Sequence, residues 1–108
     1  MKLYRIFIPK RYNDGEIIPV ENTTKILNQV EEKFGGYSLD PFGRLPLIGV
    51  WNDHKQKKRY SDEVQILELF VEDTFDIKKW FSARKELWRQ ELKQEELFII
   101  VQDAEIIT

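Results

Sequence analysis

Two stretches, Val64-Gln65-Ile66-Leu67-Glu68-Leu69-Phe70-Val71 and Leu97-Phe98-Ile99-Ile100-Val101, are apolar at nearly every position. They are too short for buried helices and too apolar for half-exposed strands. A strand turns successive side chains to opposite faces, so such runs need cover on both sides. Leu3-Tyr4-Arg5-Ile6-Phe7-Ile8, rich in aromatic and β-branched residues and stopped by Pro9, predicts a first strand. Residues 11–20, with Asn13-Asp14-Gly15 and Pro19, read as a loop.

Helical spacing appears twice. Ile26, Leu27, Val30 and Phe34 fall within one arc of about 100°, with Asn28, Glu31 and Glu32 opposite. Asn22 or Thr23 is expected to cap the start of this helix, and Gly35-Gly36 to end it. A second helix is expected from Thr74–Asp76 to about Lys93, with acidic residues where the helix dipole favours them. Its stripe of Ile77, Phe81, Trp88 and Leu92 should face a sheet, with Trp80 and Leu87 beyond it. Pro41 and Pro46 restrict the segment between the helices to an edge strand, clearest over 47–51. Residues 52–59 form the polar tip of a hairpin, 60–71 its return strand, and 94–100 the last strand.

The resulting order is βαββαβ. Right-handed crossovers turn that order into a ferredoxin-like α+β fold, a four-stranded antiparallel sheet of order 4-1-3-2 with two helices on one face. Residues 1–108 are expected to form one such domain. Two helices cover one sheet face and leave the other to a second protomer, a partner or a ligand. The fourth strand, at an edge, has the least reason to be apolar on both sides.

Composition is ordinary for a globular protein, with 42% hydrophobic residues and a net charge of −2, which gives no global attraction to nucleic acid or anionic membranes. There is no cysteine for disulfides or thiolate chemistry. The beginning of the chain has no apolar targeting segment, and no run is long enough to span a bilayer. A cytoplasmic location without membrane contact is the expectation.

Phe34-Gly35-Gly36, Gly49-x-Trp51 and Gln94-Glu95-x-Leu97-Phe98 occur together over residues 34–100. In this combination the chain resembles an uncharacterised family of small bacterial ferredoxin-like domains. The resemblance implies the fold and carries no activity or site residues.

Candidate chemistry is sparse. His54, the one histidine, sits at the hairpin tip, away from any rigid acid–base framework. Ser61 and Asp62 lie near it in sequence, which does not make a triad. Glu72, Asp73 and Asp76 read as helix-start acids rather than cation ligands. No cofactor or metal is expected. The tip residues Lys55, Lys57, Lys58 and Arg59, flanked by Trp51 and Tyr60, are a candidate anion site. A solvated turn that discourages aggregation explains them more simply. Lys78, Lys85, Arg89 and Lys93 form a basic helix stripe, more often a solvated face than a phosphate track. Nucleic-acid contact is therefore the disfavoured reading.

Arg5 and Glu68 are the most informative polar positions, because each interrupts an apolar strand and the topology makes those strands neighbours. Leu3, Arg5 and Phe7 share one face of the first strand, and Ile66, Glu68 and Phe70 one face of the third. On the uncovered face Arg5 and Glu68 would pair across strands, either as an ordinary exposed pair or within a cleft or interface. The candidate interface or cleft is Arg5, Phe7, Trp51, Glu68, Phe70 and Phe98. The leading expectation is a non-enzymatic binding or assembly domain that forms a homodimer or docks a protein through this face or the fourth-strand edge. Alternatives are a small enzyme with a pocket at a dimeric sheet interface, or an anion binder using the tip.

Overall fold

The computed structural model describes residues 1–39, 47–53 and 58–107, and for 47–53 and 58–63 the description is of the backbone. The elements are β1 (Lys2–Pro9), α1 (Val20–Phe34), β2 (Ser38–Leu39), β3 (Leu47–Asp53), β4 (Lys58–Val71), α2 (Phe75–Glu91) and β5 (Ile99–Asp103). β5, β1 and β4 lie side by side, all antiparallel. The remaining edge is shared by β2, paired with the end of β4, and β3, paired with its beginning. Counting β2 and β3 as one lane, the order is the expected 4-1-3-2, and the fold is ferredoxin-like α+β.

Alternation decides which face is covered. Tyr4, Ile6 and Ile8 of β1 and Leu67, Leu69 and Val71 of β4 are buried in one cluster with Ile26 and Val30 of α1 and Phe81 and Trp88 of α2. Both helices therefore lie on that face. Tyr4 stacks on Phe81 with ring centroids 4.1 Å apart. Trp88 is fully buried, and its indole N–H donates to Gln29 Oε1 at 2.8 Å. Trp80 widens this core: it packs edge-on to Phe34, Phe81 and Trp88, with the Arg84 guanidinium over its ring. Leu87 stays exposed.

Boundaries differ from expectation in four places, each for a local reason. α1 begins at Val20 with Pro19 in the capping position and no side-chain cap. Asn22 and Thr23, the two expected caps, both lie inside the helix, and Asn22 donates to the Tyr12 hydroxyl, tying the preceding loop to the helix. α1 ends as expected on Gly35, whose φ of 84° places it in the left-handed region. α2 is capped by Thr74, which accepts from the Ile77 N–H, and stops at Glu91 rather than Lys93 because Lys93 itself turns left-handed.

The third and fourth differences concern strands. Residues 94–98 are not strand: Gln94 is buried and donates to the Leu92 carbonyl, its own carbonyl accepts from Arg89, and Leu97 is buried in the core. The last strand is therefore Ile99–Asp103. The hairpin ladder reaches Asp53 and Lys58, so Asn52, Asp53, Lys58 and Arg59 are strand residues rather than tip.

Candidate functional site

The sheet face away from the helices carries a lattice fixed by register. One row joins Ser38, Glu68, Arg5 and Ile100 across β2, β4, β1 and β5. On one side of it lie Phe70, Leu3 and Gln102. On the other lie Ile66 and Phe7, and the Phe7 N–H donates to the Phe98 carbonyl, which adds Phe98 to that row. Leu3 is buried, Phe7 and Ile66 are half-buried, and Phe70, Phe98 and Ile100 are exposed.

Arg5 and Glu68 meet at the centre, as the alternation predicts. Arg5 Nε donates to Glu68 Oε1 at 2.8 Å, and Arg5 Nη1 donates to Gln102 Oε1 at 3.1 Å. The guanidinium thus bridges three strands. With side chains 33% and 39% exposed, the ion pair is neither sealed in the core nor fully solvated. A carboxylate acceptor and a fork of donors here face an aromatic and aliphatic surround, which suits a small ligand bearing both charge and a flat ring.

Gln102 is the member that sequence reasoning missed. Its signal was present, a polar residue two positions after Ile100 and so on the same face, but the expected strand ended at residue 100, whereas the observed one runs to Asp103.

The other candidates are not brought to this centre. Trp51 is paired in register with Tyr60 on the β3–β4 ribbon, beyond the end of β1 opposite Val64. Lys58 and Arg59 lie on the same ribbon, opposite Asp53 and Asn52. His54, Lys55 and Lys57 lie outside the described residues, as do the side chains of Ser61 and Asp62.

The basic stripe of α2 is largely engaged. Lys85 pairs with Glu96 at 2.9 Å, Arg89 pairs with Glu86 at 3.0 Å and bonds the Gln94 carbonyl, and Lys93 lies over the Tyr12 ring. These contacts disfavour a continuous phosphate track. Asp73 lies 3.8 Å from Lys2, and Asp76 occupies the first turn of α2, as helix-start acids do. Among the described residues no group of three histidine, cysteine or acidic side chains is placed to hold a metal ion, and no helix is long and apolar enough to cross a membrane.

At the sheet end, Lys2 pairs with Asp103. The bond from Lys2 holds the Asp103 carboxyl below its usual range, and Asp103 raises the Lys2 ammonium. Burial pushes the Tyr4 phenol up.

No protein-family model and no curated protein matches the chain. Two solved structures do. A phage SAM lyase in complex with S-methyl-5′-thioadenosine superposes with a TM-score of 0.69 at 19% identity, covering 94% of this chain and 80% of the other. A phage SAM lyase in the apo state gives 0.57 at 19% identity, covering 94% and 78%. At this identity the likeness establishes the shared fold.

Proposed function

We propose that this protein is a cytoplasmic ligand-binding enzyme acting on S-adenosylmethionine, a lyase that releases S-methyl-5′-thioadenosine from the open face of its sheet. The likeness to the thioadenosine-bound lyase along 94% of the chain carries this reading. It moves the balance from a non-enzymatic assembly domain to the alternative of a small enzyme. The chemistry of the face agrees with it. Phe7 and Phe98 offer ring surface to an adenine, Glu68 complements a sulfonium or ammonium cation, and Arg5 complements a carboxylate.

Leaving the thioether intact on adenosine requires cleavage between sulfur and Cγ of the amino-acid part, with the bonding pair remaining on sulfur. Two routes balance. The substrate's own carboxylate attacks Cγ and closes a lactone with no proton moved, in which case Glu68 orients the ammonium. Alternatively a base, for which Glu68 is placed, removes a Cβ proton and an alkene forms. Neither route needs a metal, an oxidant or a second substrate.

The test is incubation of the purified protein with S-adenosylmethionine, separation of nucleosides by chromatography, and proton NMR of the four-carbon product. Release of S-methyl-5′-thioadenosine above the spontaneous rate, falling at least about tenfold in Glu68→Gln, is the expected result. No release, and no calorimetric binding of either compound at millimolar concentration, overturns the reading.

A second reading keeps the same face for protein docking, favoured by the exposure of Phe70, Phe98 and Ile100. Photo-cross-linking from a photoreactive amino acid placed at Phe70 or Ile100 that joins two polypeptides in the absence of nucleoside, and persists in its presence, supports docking over catalysis.

A further inference from the structure

Two acceptors of different charge fix the Arg5 guanidinium. Nε donates to Glu68 Oε1 at 2.8 Å and Nη1 to Gln102 Oε1 at 3.1 Å. Every other side chain next to Arg5 on the open face is apolar, so these two bonds decide where the group points. The register sets Arg5 against Glu68 and Ile100, and Gln102 against Leu3. The bond to Gln102 therefore runs along a diagonal of the ladder, a distance that a long side chain spans. It draws the guanidinium toward the row of Leu3 and Phe70 and away from that of Phe7 and Phe98.

Chemistry dictates how the Gln102 amide is turned. A guanidinium has no acceptor, so the amide oxygen must face it. That neutral oxygen takes up one N–H without cancelling the charge, as a second carboxylate would. Both hydrogens of Nη2 and one of Nη1 have no partner among the described residues. They are the donors that a ligand carboxylate needs for a charge-assisted, paired contact. Glu68 Oε2 likewise accepts from no described residue. Arg5, Glu68 and Gln102 together carry no net charge and set free donors beside a free acceptor. The complement of that arrangement is an α-amino-acid end, with its carboxylate next to its ammonium.

We propose that Gln102 determines the specificity of this site, as a positioning residue that holds Arg5 without neutralising it and so selects ligands bearing an α-amino-acid carboxylate. The inference rests on the reading of the open face as a nucleoside site and adds which part of the ligand is read, and by what. Gln102→Glu keeps the acceptor for Nη1 yet reverses the choice. Two carboxylates on one guanidinium leave the group net negative, which repels a ligand carboxylate and favours an amine.

Calorimetry of the full chain with three ligands tests this. S-adenosylhomocysteine keeps the amino-acid end without being a sulfonium, its decarboxylated amine lacks only the carboxylate, and S-methyl-5′-thioadenosine has neither group. The parent should bind S-adenosylhomocysteine at least about tenfold more tightly than the amine, the worth of one charge-assisted bond. In Gln102→Glu that preference should vanish or invert, while thioadenosine binding changes by less than about twofold. Gln102→Met, similar in length and uncharged, should shrink the preference without inverting it. Position 102 is exposed, and unchanged far-UV circular dichroism establishes that each variant is folded. Should Gln102→Glu misfold, Gln102→Met decides. A parent that binds none of the three ligands overturns the nucleoside reading and this inference with it. Thioadenosine binding without a preference for the carboxylate, a preference that survives substitution intact, or equal weakening of all three ligands overturns the inference alone.

Discussion

Replacing the Arg5–Glu68 pair by Met and Leu separates its structural from its chemical role. The pair is a charge-assisted contact of 2.8 Å, but its side chains are 33% and 39% exposed, so solvent screens much of the attraction. Partly solvated pairs of this kind couple by about 0.5–1 kcal/mol. Removing Glu68 alone leaves the guanidinium with Gln102 and water, a loss of about 1 kcal/mol, or roughly 4 °C in melting temperature for a domain of this size. In the double variant no charge is left unpaired, and apolar side chains extend the rows of Phe7 and Leu3. Its stability should return to within about 0.5 kcal/mol of the parent. Urea denaturation of the parent, Arg5→Met, Glu68→Leu and the double variant gives the coupling energy directly, and repeating it at high salt should reduce the value. Calorimetry with S-adenosylmethionine on the same proteins should show binding lost in all three variants. A coupling above about 2 kcal/mol would mean a structural pair, and undiminished binding by the stable double variant would remove the pair from the ligand site.

Trp88→Phe should cost about 2–3 kcal/mol in chemical denaturation, because it opens space in a fully buried position and strips Gln29 of its indole donor. Thr74→Ala removes the oxygen that accepts from the Ile77 N–H, and a loss of about 1 kcal/mol is expected, largely restored by Thr74→Ser. Melting temperature against pH should fall at both extremes. Asp103 is held below its ordinary 3.8, so its contribution is complete above that value and is lost as the pH drops through the lowered one. Lys2 and Tyr4 are raised above 10.5 and 10.0, so stability declines as the pH rises past those values, where the unfolded chain releases its protons first. Asp103→Asn should flatten the acid limb, and an unchanged limb would locate the acid sensitivity elsewhere.

The sheet was legible because alternation and topology carry the same information twice. Leu3, Arg5 and Phe7 could face Ile66, Glu68 and Phe70 only if the first and third strands were neighbours, and the register sets Arg5 against Glu68. Where the sequence misled, two causes of apolarity had been merged into one. Leu97 is apolar because it plugs the core beneath the end of α2, while Phe98 and Ile100 are apolar on the open face. A run of five such residues reads as a single strand until Gln94 is seen closing the turn after α2. Asn22 misled in a similar way: α1 starts earlier, at Val20 behind Pro19, so Asn22 lies inside the first turn, where its side-chain amide donates to the Tyr12 hydroxyl, and no local rule anticipates a loop folded back on the helix.

The placement of charge on the open face bears on what that face meets. A merely solvated sheet face alternates polar residues outward along every strand, whereas here Phe7, Ile66, Phe70, Phe98 and Ile100 all share the outer side. Protein interfaces tend to invert the pattern and move charge to the rim, leaving an apolar centre. In this protein the ion pair is central and the aromatic side chains flank it, an arrangement that complements a small molecule whose own charge sits beside its ring.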